Sequence, residues 1–214
     1  MGLNKSTGNM YEFVTHTWNT VKGKCPHECV YCYMKRWGEQ KPVRFDESEL
    51  KTDLGEGNFI FVGSSCDLFA DAIPKKWIHE TLFHCRSFTK NKYLLQTKNP
   101  RRYHEFYLPK NFILGTTIET DRYIKQMGDT LIPYLRVYYL KQLMHKKFIT
   151  IEPIMDFDLN IFADMINSVD PDWVNIGADS GNNNLPEPSK EKIEALIKLL
   201  NGKITIKKNM KRIK

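Results

Sequence analysis

The sequence predicts an α/β fold in which six or seven strand and helix units, with mostly parallel strands, curl into an incomplete TIM-like barrel. Short, β-rich apolar runs alternate with longer amphipathic ones along most of the 214 residues. Most of the short runs are continuously apolar, as strands buried on both faces are. The residues just after each run are polar, which suits a barrel whose chemistry gathers at the C-terminal ends of its strands.

The first expected strand, Glu12 to Thr17, leads through Trp18-Asn19-Thr20 into a cysteine-rich loop spanning about residues 20–34. The second, Asn58 to Gly63, ends on Ser64-Ser65-Cys66-Asp67, and a helix is expected over Pro74 to Phe88. Lys92 to Thr97 ends on Lys98-Asn99 and is followed by a helical stretch, Pro100 to Phe106. Asn111 to Thr116 runs into Thr117-Ile118-Glu119, with the next helix inside Thr130 to His145. Lys147 to Glu152 precedes a helix over Leu159 to Ser168, and Asp172 to Gly177 ends on Ala178-Asp179-Ser180-Gly181. The last helix, Ser189 to Leu200, leads into the strand Lys203 to Lys207 and then Lys208. Pro74, Pro100 and Pro133 stand near helix starts, where a missing amide costs least. Ser189 is suited to cap its helix, and Asn201-Gly202 to stop it. Parallel strands joined this way require right-handed crossovers.

Composition sets the frame for function. A 41% apolar content with 12% aromatics supports a sizeable core, and residues 1–214 read as one domain. The first ten residues are polar and no run approaches a membrane span, so a soluble, cytoplasmic protein without membrane partners is expected. Only Cys66 and Cys85 lie outside the cysteine loop, which argues against a disulfide framework and for a reducing compartment; Cys85 falls inside a predicted helix as a core residue. The net charge of +7 favours a polyanionic partner. Basic residues gather at Lys35-Arg36, at Lys98 to Arg102, at Lys146-Lys147 and in the tail from Lys207 to Lys214. Tyr103, Phe106 and Tyr107 beside Arg101-Arg102, and Tyr134, Tyr138 and Tyr139 around Arg136, offer stacking platforms next to phosphate contacts, although helical spacing makes most of them ordinary core or boundary residues.

The most specific signal is Cys25-Pro26-His27-Glu28-Cys29-Val30-Tyr31-Cys32. Three thiolates from one loop are an odd number for disulfides and for a closed zinc site, and they suit an iron–sulfur cluster with one iron left open. A zinc knuckle completed by His27 or a distant ligand is the competing reading. With Tyr31 before the last cysteine, the loop resembles the cluster loop of the radical S-adenosylmethionine (SAM) enzymes.

The resemblance extends along the chain. Trp18-Asn19, Gly63-Ser64-Ser65-Cys66-Asp67-Leu68-Phe69, Gln96-Thr97-Lys98-Asn99-Pro100-Arg101-Arg102, Leu114-Gly115-Thr116-Thr117-Ile118-Glu119, Thr150-Ile151-Glu152-Pro153 and Asp172-Trp173-Val174-Asn175-Ile176-Gly177-Ala178-Asp179-Ser180-Gly181 occur in order. This set is similar to the phage-type "Gp37/Gp68" family of small radical SAM-like proteins, also called DUF5131, from about Thr17 to Lys208. The family name carries no settled reaction. Cys66 stands where a methionine is common, and Gly177-Ala178-Asp179-Ser180-Gly181 replaces a Gly-Gly-Glu-Ser-Gly run.

The resemblance implies a [4Fe–4S] cluster on Cys25, Cys29 and Cys32, with SAM bound at the open iron through its amino and carboxylate groups. An electron from a donor such as flavodoxin or ferredoxin would cleave SAM and yield a 5′-deoxyadenosyl radical, with the protein positioning and insulating the reactants. Ser64, Ser65 and Asp67 are candidates for the SAM ammonium and Lys98 for its carboxylate. Thr117 and Glu119, then Glu152, are candidates for the ribose; Tyr31 and the backbone from Asn175 to Gly177 are candidates for the adenine. The alternative is that Glu119 and Glu152 serve instead as structural acceptors for Arg122 or Lys98. Cys66 is a candidate hydrogen-atom donor to a product radical, or a small packed residue.

Three functions compete. The leading one is a radical SAM enzyme that modifies or repairs a nucleotide or nucleic acid. A second is the same chemistry on a peptide or a small anionic metabolite, and a third is a zinc-bearing nucleic-acid-binding module without catalysis.

Overall fold

Strand order decides between a barrel and a doubly wound sheet. In the computed structural model, which describes residues 2–7 and 10–213, the strands are β1 (Asn4–Lys5), β2 (His16–Trp18), β3 (Val21–Lys22), β4 (Arg44–Phe45), β5 (Phe59–Val62), β6 (Lys92–Thr97), β7 (Phe112–Thr117), β8 (Lys147–Ile151), β9 (Trp173–Ile176) and β10 (Lys203–Ile206). The main sheet has the order β1-β2-β5-β6-β7-β8-β9-β10, and every pair except β1 with β2 is parallel. From β2 onward, chain order equals spatial order. A doubly wound sheet reverses direction at a switch point, whereas unidirectional winding is that of a barrel. The sheet remains open between β1 and β10, so the barrel is incomplete.

The α-helices are α1 (Lys75–Arg86), α2 (Pro133–Lys141), α3 (Leu159–Asn167) and α4 (Lys190–Leu199). Ser189 caps α4 by accepting from the Lys192 amide at 3.3 Å, and Pro133 opens α2. The stretch beginning at Pro100 forms a 3-10 helix, Pro100–Glu105, in place of a full α-helix.

Two elements differ from expectation. The run from Glu12 is not a strand until His16: Val14 donates to the Tyr11 carbonyl in a turn, and Tyr11 and Phe13 tuck beneath the sheet. The two-residue strands β1, β3 and β4 are too short to show periodicity. β3 and β4 form a small antiparallel ribbon that brackets the cysteine loop.

Side-chain alternation splits each barrel strand between an outer and an inner face. Ile60, Val62, Tyr93, Leu95, Phe112, Leu114, Ile149, Ile151, Val174 and Ile176 pack outward with the helices. Phe61, Leu94, Ile113 and Phe148 point inward and, with Tyr11, Val14, Phe13, Phe59 and Trp173, fill the lower barrel. Phe13 lies between Phe59, Phe148 and Trp173, with ring centroids 4.9 to 6.0 Å away. Two residues further along β6 and β8, and four further along β7, the inward positions become Gln96, Thr150 and Thr117. The floor is therefore aromatic and the layer above it polar. No described helix is long and apolar enough to cross a membrane.

Candidate active site

At the C-terminal ends of the strands lies a cleft of about 740 Å³. Its wall includes Cys25, Cys29, Tyr31 and Cys32 from the loop, Ser64, Ser65, Cys66 and Asp67 after β5, and Lys98, Thr117 and Glu152 from later strand ends. Thus eleven of the fourteen residues singled out from sequence face one space.

The cysteine loop is latched from both sides. His27, buried, places Nδ1 2.6 Å from the Asp129 carbonyl oxygen and Nε2 2.8 Å from Asp67 Oδ2. Two acceptors demand two ring protons, so the imidazole is held charged. Burial opposes that charge, and Asp67 outweighs burial to raise the His27 pKa. Neither ring nitrogen is open to complete a zinc set with the thiols. The Asp129 amide donates back to the His27 carbonyl, and Val30 donates to Gln126. This approach requires Gly128, with φ +73°: a Cβ there would stand 2.0 Å from the His27 carbonyl oxygen.

Asp67 is the hub of the other side. Its carboxylate accepts from His27, from Thr97 Oγ1 at 2.9 Å, and from the amides of Lys98 at 2.8 Å and Phe69 at 2.9 Å. Burial pushes its pKa up, but His27 and these donors win and hold it below the usual range. Asn19 fixes the neighbouring turn, accepting from the Ser65 amide at 2.9 Å and the Ser64 hydroxyl at 3.3 Å. Cys66 is buried beside Cys25, and the neighbouring sulfurs hold the Cys25 thiol below its usual range and raise that of Cys66. Burial pushes Cys29 up to about 11.

Glu119, fully buried, sits behind the wall. It accepts from Tyr31 Oη at 2.5 Å and Arg136 Nη1 at 2.7 Å, and lies 3.1 Å from Lys98 Nζ. Burial favours the neutral acid, yet Arg136 and Lys98 hold Glu119 at about 2. Glu119 in turn outweighs burial at Lys98 and raises its pKa. Lys98 Nζ also stands 5.5 Å from the centre of the Tyr31 ring. On the far wall, Lys207 Nζ reaches Glu152 Oε2 at 2.7 Å, and Gln96 bridges Tyr11 Oη at 2.8 Å and Thr117 Oγ1 at 3.0 Å. Gly177 makes room for Glu152, whose carboxylate stands 2.7 Å from where a Cβ would be.

Three expected contacts do not line the cleft. Glu119 is behind Tyr31 and Lys98. Asn175 lies in β9, paired on both sides by β8 and β10, and the Gly177 amide and carbonyl are spent on Ile151 and Ile154. Of the aromatic and basic groups offered as a nucleic-acid platform, Arg136, Arg102 and Tyr103 turn inward, whereas Tyr107, Tyr134 and Tyr138 are exposed. Arg136 is fully buried on Glu119 and on the Thr117 carbonyl at 2.8 Å. Buried Arg102 donates to the carbonyls of Ala70 and Ile73, and Tyr103 to those of Leu95 and Gly115. Arg122 pairs with Asp156 and Asp158, leaving Glu119 to Lys98 and Arg136. In the tail, Lys207 joins the cleft and Arg212 binds the Asp179 carbonyl and Glu187; Lys214 lies outside the described residues. Asp179 itself ties its own loop, accepting from Gly181 and Asn183. His27, Gln96, Thr150 and Lys207 are wall residues the sequence did not single out for these places. The inward register of Gln96 and Thr150, two residues after Leu94 and Phe148, is the signal that would have found the middle pair.

The family described as "Protein of unknown function (DUF5131)" matches residues 8–192. No curated protein matches. Among solved structures, a cysteine-to-serine mutant of spore photoproduct lyase aligns at TM-score 0.60 and 12% identity, covering 92% of this chain and 64% of that one. Spore photoproduct lyase complexed with dinucleoside spore photoproduct aligns at TM-score 0.59 and 11% identity, over 91% and 63%. A double mutant of the same lyase, with bound AdoMet and the dinucleoside, aligns at 0.56 and 10%, over 92% and 65%. The chain spans less than two thirds of these chains, and at this identity the likeness is one of fold.

Proposed function

The chain belongs to the DUF5131 family, and from that premise we propose that it is a radical SAM enzyme acting on a nucleotide or nucleic-acid substrate, in modification or repair. The observation that carries the proposal is that three thiols from one loop and the polar ends of the barrel strands line a single cleft. The fold likeness to proteins solved with AdoMet and with dinucleoside spore photoproduct supports the choice of cofactor and substrate class.

Cys25, Cys29 and Cys32 fit a [4Fe–4S] cluster by donor chemistry: all three thiols reach the same cleft, while His27 is spent on Asp67 and Asp129. Among the described residues no three His, Cys, Asp or Glu side chains are gathered around a point where one metal ion would sit. When bound, the cluster supplies the electron that cleaves SAM to methionine and a 5′-deoxyadenosyl radical. The chain's own residues bind and orient. Lys98, kept protonated by Glu119, meets the SAM carboxylate, and the Ser64 and Ser65 turn held by Asn19 meets the ammonium. Asp67 holds that turn to the loop and to β6. Thr117 and Glu152 face the ribose, and Tyr31 forms a wall for the adenine. Glu119 acts through Tyr31 and Lys98. Cys66, against Cys25, is the candidate hydrogen-atom donor. A small electron carrier such as flavodoxin or ferredoxin supplies the reductant.

The test is anaerobic reconstitution. Iron and sulfide at about four each per chain, a broad absorbance bleached by dithionite, and 5′-deoxyadenosine with methionine from SAM are expected. A colourless protein with one tetrahedral zinc and no SAM cleavage would sink the proposal. Replacing Cys66 with alanine and finding product partition unchanged would dispose of the donor role.

A further inference from the structure

A second cleft, of about 510 Å³, adjoins the first and shares Asn4, Met34, Trp37 and Ser65 with it. Along the β3–β4 ribbon it is lined by Lys22, Lys41 and Arg44 and by two carboxylates, Glu49, which is spent on Lys22, and exposed Glu39. Trp37 stands where the two meet, and its side chain is 70% exposed, the most exposed tryptophan among the described residues. An indole left in water at the edge of a cofactor-sized cleft buries nothing in the free protein. Beside it, Arg36 lies 5.5 Å from the centre of the Tyr33 ring, which is itself 44% exposed.

The charges of this groove are unequally spent. Lys22 is held by Asp46 and Glu49, at 2.7 and 2.6 Å. Exposed Lys41 and Arg44 line the groove without being drawn into the cysteine latch or the barrel core. Exposed Lys5 and Arg36 line the first cleft close by. Aromatic faces interleaved with side-chain cations along a concave track are what an unpaired nucleic-acid strand requires.

We infer that the joined clefts bind a single-stranded stretch of nucleic acid, with the reacting nucleotide in the barrel mouth, a neighbouring base stacked on Trp37, and phosphates on Lys41 and Arg44. This rests on the nucleic-acid reading above and names the strand state and the contacts. A paired duplex keeps its base faces stacked inside and offers none to an indole at a groove edge. A globular protein presents a convex surface to the rim, whereas an extended strand can enter both clefts past the Trp37 they share.

The experiment uses the iron-loaded protein under anaerobic conditions, with SAM and no reductant, and reads anisotropy of a labelled short oligodeoxythymidylate. Wild type is expected to bind with an affinity that falls with salt. Trp37→Ala should weaken binding about tenfold or more, and Trp37→Phe, which keeps a stacking face, should restore most of it. Lys41→Gln with Arg44→Gln should lessen the salt slope by about 0.7 for each phosphate left without its cation. A duplex of the same length bound as tightly as the single strand, or Trp37→Ala bound as tightly as wild type, overturns the inference. So does a Trp37→Ala protein that loses a reduced flavodoxin but keeps the oligonucleotide. Parallel assay of SAM cleavage by wild type separates the two readings. Cleavage without oligonucleotide binding removes the groove alone, and binding without cleavage removes the radical chemistry alone.

Discussion

Arg136 Nη1 lies 2.7 Å from Glu119 Oε2, and both side chains are fully shielded from water. The pair stands at the root of the cleft: Glu119 holds Tyr31 and Lys98 forward, and Arg136 ties the carboxylate to α2 and to the Thr117 carbonyl. Breaking one partner of such a pair leaves a buried charge unanswered. Glu119→Gln is therefore expected to cost about 3–5 kcal/mol in denaturant unfolding. A loss below about 1 kcal/mol would mean that water reaches Arg136.

The same carboxylate sets an acid limit. Glu119 is held at about 2 against an ordinary 4.5, so its contribution is complete above pH 4.5 and is lost as the pH falls toward 2. A difference of this size corresponds to roughly 3 kcal/mol. Wild-type stability should fall over that interval more steeply than that of Glu119→Gln; parallel curves would place the acid transition elsewhere.

Gly128→Ala should disturb the cysteine loop without unfolding the barrel. The added methyl meets the His27 carbonyl, and a positive φ becomes strained. Circular dichroism is expected to stay close to wild type while iron retained after reconstitution drops severalfold. Full iron loading would show that the 125–130 turn is not the loop's support.

Lys98→Met removes the cation proposed for the SAM carboxylate. A charge-assisted hydrogen bond contributes about 1.5–3 kcal/mol, so SAM affinity should weaken by about tenfold or more. Equilibrium binding on the iron-loaded protein reads this directly, and unchanged affinity would return Lys98 to a purely structural role with Glu119.

Much of this arrangement was legible beforehand, for stated reasons. Lys92–Thr97 is a strand over the residues expected, because an unbroken apolar run flanked by turns has few other solutions. The polar residues after each strand pointed to the cleft for a different reason: in a parallel barrel all the strands' C-terminal ends open on one side. What was hidden depends on long-range partners. Arg136 among tyrosines looks like a surface phosphate contact, and only the packing of α2 against β7 shows it turned inward to Glu119. His27 looks like a metal ligand until Asp67, far away in sequence, occupies its Nε2. Trp37 carries no periodic signal, since it belongs to a short 3-10 turn, Tyr33–Trp37.

The aromatic layer of Tyr11, Phe13, Phe61 and Phe148 beneath the polar one has a consequence for traffic. Among the described residues it closes the lower end of the barrel, so ligands reach the cleft from the strand ends and from the gap left between β1 and β10. On the proposed function, a strand seated at Trp37 would cover one side of the cleft and shield what is bound beneath it from water.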